Sequence, residues 1–207
     1  MPANRKPRPF GEFRPKLDTA VFILGLLGIL VVVHLWIQAG RGFDRGCFGF
    51  SSTPATVECE VVTQSDAGSM LGVSNIIWGL VFYVGLSVLS FATVVVGPQK
   101  LASVKQLRAG AIGVGFLYSL YLVYIQSVQI GEYCKLCLIS AGIVATLFVL
   151  QVIDFRSKPV ASPSDADAAN KRFRLFAGLG VVAVLFAVSD VLYFRTLPPN
   201  EVVAAVA

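Results

Sequence analysis

Tyr133-Cys134-Lys135-Leu136-Cys137 opens a stretch that continues Leu-Ile-Ser-Ala-Gly-Ile-Val-Ala-Thr-Leu-Phe-Val-Leu-Gln-Val-Ile to residue 153. A C-x-x-C therefore stands at the mouth of an uncharged apolar run. The two cysteines are one helical turn apart, so on a helix they share a face and are close enough to form the small disulfide ring of redox-active sites. A helix N-terminus favours a thiolate through its macrodipole and free backbone N–H groups, and Lys135 adds a positive charge nearby. Spacing alone leaves two other readings open, a structural disulfide and half of a four-cysteine zinc site.

The chain around this stretch is too apolar for a soluble domain. Of its 207 residues 56% are hydrophobic and 14% charged, against about 25% charged in soluble domains. Uncharged runs cover residues 19–40, 67–99, 109–131, 136–153 and 175–189, and a spanning helix needs about 20 apolar residues. The last run reaches that length once Asp190 is admitted near one end. The expectation is an all-α integral membrane protein with five transmembrane helices.

The net charge of +5 suggests an anionic partner only until the basic residues are placed. Thirteen of the seventeen Lys and Arg residues precede the first span or lie between the second and third or the fourth and fifth. Arg41, Arg45, Lys135 and Arg195 fall on the other side. The positive-inside rule then puts the N-terminus in the cytoplasm and all four cysteines outside, where a plasma membrane borders an oxidising compartment. The charge reports topology, and no nucleic-acid partner is expected.

The expected organisation is a basic, proline-rich cytoplasmic tail (1–16), a unit of four spans with all four cysteines (17–153), a cytoplasmic linker (154–172), a fifth helix (173–195) and an extracytoplasmic tail (196–207). Cys47 and Cys59 belong to the largest outer loop, with a short interfacial helix over 59–65. On a flexible loop this pair can swing between an aqueous thiol and the C-x-x-C, as exchange through mixed disulfides requires. The eleven residues between them argue against zinc, whose structural sites usually pair two tight knuckles. Asp190 reads as a carboxylate reaching interfacial water, and His34 as one side of an interhelical hydrogen bond.

C-E-V-V-x-x-S at 59–65, G-V-S-N-I-I-W-G at 72–79 and Y-C-K-L-C at 133–137 occur in that order. In this combination the chain resembles a bacterial homologue of vitamin K epoxide reductase over roughly residues 19–153. The resemblance implies a four-helix bundle around a quinone, menaquinone or ubiquinone, capped by the cysteine loop. It implies that Cys47 receives electrons from a thioredoxin-like or DsbA-like dithiol protein and that Cys59 shuttles them to Cys134. Cys137 then lies beside the quinone. Ser65 matches a loop serine of the family, Asn75 an asparagine that hydrogen-bonds a quinone carbonyl, and Trp78 and Phe82 fall where aromatics line the pocket.

Read without the resemblance, Ser65 caps a helix, Asn75 bonds a neighbouring helix, and Trp78 and Phe82 face lipid. The sequence departs from the family where animal enzymes carry a tyrosine four residues after the C-x-x-C: Ala141 stands there. With no thioredoxin-like domain following, the redox partner is expected to be a separate protein. The function expected is a quinone-dependent thiol oxidase of the bacterial inner membrane supporting disulfide formation, with membrane lipid around it. A DsbB-type oxidase shares the chemistry but places its C-x-x-C before the wider-spaced pair. From another class comes a membrane scaffold with a fixed disulfide or metal-bound cysteines.

Overall fold

Pro15 sits in the first turn of helix α1 (Pro15–Gly40), preceded by the extended backbone of Arg14, a position where its missing N–H removes no helical hydrogen bond. The computed structural model describes residues 14–50, 58–96, 98–156 and 166–198. After α1 come the short helix α2 (Glu58–Gln64), a 3-10 turn (Asp66–Gly68), and a hairpin of two-residue strands, β1 (Ser69–Met70) and β2 (Val73–Ser74). The long helices α3 (Asn75–Val95), α4 (Pro98–Ile125), α5 (Lys135–Arg156) and α6 (Ala166–Thr196) follow. The last turn of α4 widens into a π segment, Gln126–Ile130. Five helices are long and apolar enough to cross a membrane, so the chain is a multi-pass, all-helical membrane protein.

Four of these spans close into a ring. α1 packs on α3, α3 on α4, α4 on α5 and α5 on α1, and α6 lies outside the ring against α1 and α3. Val21, Val32, Tyr83, Leu86, Ile112, Val144 and Leu147 form the apolar core between the four. α6 is held to α1 by Phe176, whose ring stacks on Phe22 with centroids 4.5 Å apart, and by Asp190, whose carboxylate lies 3.1 Å from His34 Nδ1. Asp190 therefore turns to a neighbouring helix rather than to interfacial water as the sequence suggested. A carboxylate at membrane depth is costly without a partner, and His34 supplies one.

At the end of the ring away from the cysteines, five charged side chains are buried together. Arg14, Asp18, Lys105, Arg108 and Asp154 are each no more than 7% exposed. Lys105 Nζ stands 3.3 Å from Asp18 and 3.0 Å from Asp154, Arg108 Nη2 is 2.8 Å from Asp18, and Arg14 Nε is 3.4 Å from Asp154. Lys105 and Arg108, read from sequence as charges between two spans, thus lie within α4. Burial of charge is tolerable there because opposite charges arrive from α1 and α5.

Several boundaries move for the same reason. Residues 1–13 of the expected tail lie outside the described residues, but Arg14 is buried and Pro15 already helical. The expected linker, 154–172, is shorter: Asp154–Arg156 finish α5 and residues 166–172 begin α6, with 157–165 outside the described residues. Charges mark where a membrane ends, but a helix runs on into water past them. Of the expected tail 196–207, Thr196 completes α6 and 199–207 lie outside the described residues.

Candidate redox site and its cavity

The C-x-x-C sits at the start of α5, held from two sides. Cys134 precedes the first helical residue, and its carbonyl accepts the Leu138 N–H at 2.9 Å. Its own N–H donates to Gln126 Oε1 at 3.1 Å. That glutamine reaches across because the chain between the π segment and α5 turns sharply at Gly131, whose φ of 73° lies in the left-handed region that glycine adopts without penalty. The Cys134 sulfur accepts the Cys137 N–H at 3.2 Å. Cys134 and Cys137 are free thiols. Hydrogen bonding from the Cys137 thiol holds the Cys134 thiol below its ordinary pKa, helped by the Cys137 and Leu136 N–H groups and opposed by burial.

Cys47 and Cys59 are joined in a disulfide. Neither stands free in a loop: Cys47 is 5% and Cys59 0% exposed. Both pack with Cys134, Leu35, Phe43, Val62 and Leu136 in one apolar cluster, with Cys137 at its edge. Where the sequence suggested a pair free to swing, both cysteines are packed in this state. Cys59 lies on α2, whose amphipathic turn buries Cys59 and Val62 and leaves Glu58 to pair loosely with Lys135 at 3.4 Å.

Beneath this cluster a cavity of about 900 Å³ lies among α1, α3, α4 and α5. Cys137, Asn75, Trp78 and Phe82 all line it, together with Tyr118 and Ser140. The Trp78 indole N–H donates to the Met70 carbonyl at 3.2 Å, so the β hairpin fixes its edge. The Phe82 ring lies against α4 only because residue 115 is glycine: a Cβ there would meet the ring at 2.6 Å. Tyr83, buried at the cavity wall, shares hydrogen bonds with the Ser140 hydroxyl and carbonyl at 2.8 and 3.0 Å.

Ser65 is not brought to the cavity. Its hydroxyl donates to the Val62 carbonyl at 2.9 Å, closing the end of α2, which is the local capping role its spacing allowed. Sequence reasoning missed Tyr118, Tyr83, Ser140 and Gln126. Gln126 carried a readable signal, since a glutamine inside an apolar run needs a partner; the tyrosines in apolar helices carried none.

The arrangement can hold a flat, apolar, carbonyl-bearing molecule. Its walls are mostly hydrocarbon and aromatic, Asn75 and Tyr118 are among its few polar groups, and a thiol opens onto it. A quinone fits these residues. The model of the vitamin K epoxide reductase family matches residues 19–152. No curated protein matches the chain.

Proposed function

Because the chain belongs to the vitamin K epoxide reductase family, we propose that it is a membrane thiol oxidase that passes electrons from a thioredoxin-like dithiol protein to a quinone, menaquinone or ubiquinone, and so supports disulfide formation. The observation that carries this reading is the packing of a disulfide and a dithiol in one cluster, with Cys137 opening onto the cavity.

The residues act in sequence. A thiolate of the partner attacks the Cys47 sulfur and Cys59 leaves as a thiolate. The partner's second thiol then releases Cys47, so the partner departs as a disulfide and two electrons rest on Cys47 and Cys59. Cys59 attacks the Cys134 sulfur of an oxidised C-x-x-C, Cys137 leaves, and Cys47 resolves the mixed disulfide. The products of that exchange are a Cys47–Cys59 disulfide and a Cys134/Cys137 dithiol, which is the pairing in this structure. A quinone, when bound, accepts two electrons and two protons. Asn75 would hold its carbonyl, Trp78 and Phe82 would flank its ring, and Cys137 would stand next to it as the Cys134–Cys137 disulfide re-forms. Ser65 acts at most through the loop, by fixing the end of α2.

The cysteine end faces outward in this reading, across a bacterial inner membrane, with the basic N-terminal segment inside. The test is anaerobic. Purified protein in detergent receives a reduced thioredoxin-like dithiol and a short-chain quinone, and quinone absorbance is followed beside a Cys137→Ala variant. Quinone loss that matches partner oxidation and disappears in the variant supports the relay. A folded protein that reduces no common quinone defeats it.

A further inference from the structure

One end of the long cavity carries a polar group whose orientation is dictated on both sides. Asn75 begins α3, and its side-chain nitrogen lies 2.6 Å from the Ala67 carbonyl. A carbonyl only accepts hydrogen bonds, so the atom facing it must be the amide N–H₂ and not the amide oxygen. This turns Oδ1 toward Tyr118, whose hydroxyl is 2.7 Å away. An amide oxygen also only accepts, so the tyrosine donates. One N–H of Asn75 is spent on Ala67, the oxygen is spent on Tyr118, and a single N–H is left in a residue that lines the cavity.

The three anchors come from separate parts of the chain. Ala67 belongs to the 3-10 turn that follows the Cys59 helix, Asn75 to α3, and Tyr118 to α4, 43 residues further on. Tyr118 and Asn75 both line the cavity. We propose that Tyr118 is a positioning residue for quinone recognition: its hydroxyl fixes the Asn75 amide so that the remaining N–H donates to a ligand carbonyl.

The inference rests on the oxidase reading for the identity of the ligand, but binding tests it without turnover. The full chain carries two tryptophans. Trp78 lines the cavity and Trp36 is 60% exposed, so a Trp36→Phe background leaves Trp78 fluorescence as the reporter. The probe is 2,3-dimethyl-1,4-naphthoquinone, titrated in detergent beside 2,3-dimethylnaphthalene, which has the same rings without the carbonyls. In that background Tyr118→Phe keeps the ring and loses the donor.

The expected result is a roughly tenfold weaker affinity for the naphthoquinone, the size of one modest hydrogen bond, with the hydrocarbon bound equally by parent and variant. Reduction of the Cys47–Cys59 disulfide by dithiothreitol, read by thiol alkylation, stays at the parental rate and shows that the fold is intact. Unchanged naphthoquinone affinity in Tyr118→Phe while Asn75→Ala loses it overturns the inference. So does an equal loss for the hydrocarbon, which would make Tyr118 a packing residue, or a parent that binds no naphthoquinone. Carbonyl-dependent binding through Tyr118 in a protein that never reduces the quinone overturns the oxidase reading alone.

Discussion

Cys134 has a buried sulfur and a buried N–H: Cys137, one turn on, serves the first, and Gln126, eight residues back, the second. Its lowered pKa has a definite sign: the thiolate, the species that exchanges with disulfides, persists to lower pH than in an unperturbed cysteine. The rate of diamide oxidation of the Cys134/Cys137 dithiol, plotted against pH, should therefore rise at lower pH than that of a cysteine peptide near pH 8.5. A rise at or above the peptide's value would contradict the hydrogen bonding seen here. Gln126→Leu removes the acceptor of the Cys134 N–H and leaves that group orphaned, at a cost of about 1–3 kcal/mol. Thermal unfolding in detergent measures it, with Gln129→Leu, an exposed neighbour, as the control that should change little. The cysteines drew the eye by their spacing and Asn75 by the family resemblance, and the structure puts Cys137 and Asn75 on one cavity. Tyr118 was not legible, since a tyrosine in an apolar helix looks alike whether it faces lipid or an amide, and only the ring closure of four helices brings it to Asn75.

At the scale of the elements, the spans were legible because hydrocarbon thickness demands long apolar runs, whereas their ends were not. α4 carries Lys105 and Arg108 inside the helix because Asp18 and Asp154 meet them, and a pairing between residues so far apart along the chain leaves no local mark. Asp18→Ala strands Lys105 and Arg108 with Asp154 as the remaining carboxylate among these five residues. Breaking such a buried network should cost about 3–5 kcal/mol, read as a lower unfolding temperature in detergent. Adding Lys105→Met should restore part of the loss by removing one of the positive charges in excess, and a double variant less stable than Asp18→Ala would show that the attraction to Asp154 outweighs the repulsion. The short helix α2 was foreseen nearly to the residue, 59–65 against Glu58–Gln64. Its burial was not, because no sequence pattern says that a polar loop will fold back over the bundle's mouth.

For the whole molecule, the distribution of Lys and Arg predicts a fixed orientation. In intact cells a membrane-impermeant maleimide should label Cys59 after mild reduction, and should not label a cysteine placed by Lys171→Cys in a cysteine-free background until the membrane is opened. The reverse pattern would invert the topology. The sixth helix, whose role nothing in the sequence disclosed, has one in the assembled protein. The Arg41 guanidinium donates to the carbonyls of Phe194 and Leu197 at 2.7 and 3.1 Å while holding the Asp44 carboxylate at 2.7 Å, and Arg45 reaches the Pro198 carbonyl at 3.1 Å. These bonds tie the end of α6 to the turn that carries Cys47. The side-chain bonds of α2, which carries Cys59, run within that helix and to Lys135 of α5 instead. In the proposed relay the arms are therefore not equivalent when the bond between the two sulfurs opens: one stays berthed against a transmembrane mast, and the other would be the runner that carries the electrons to the next station.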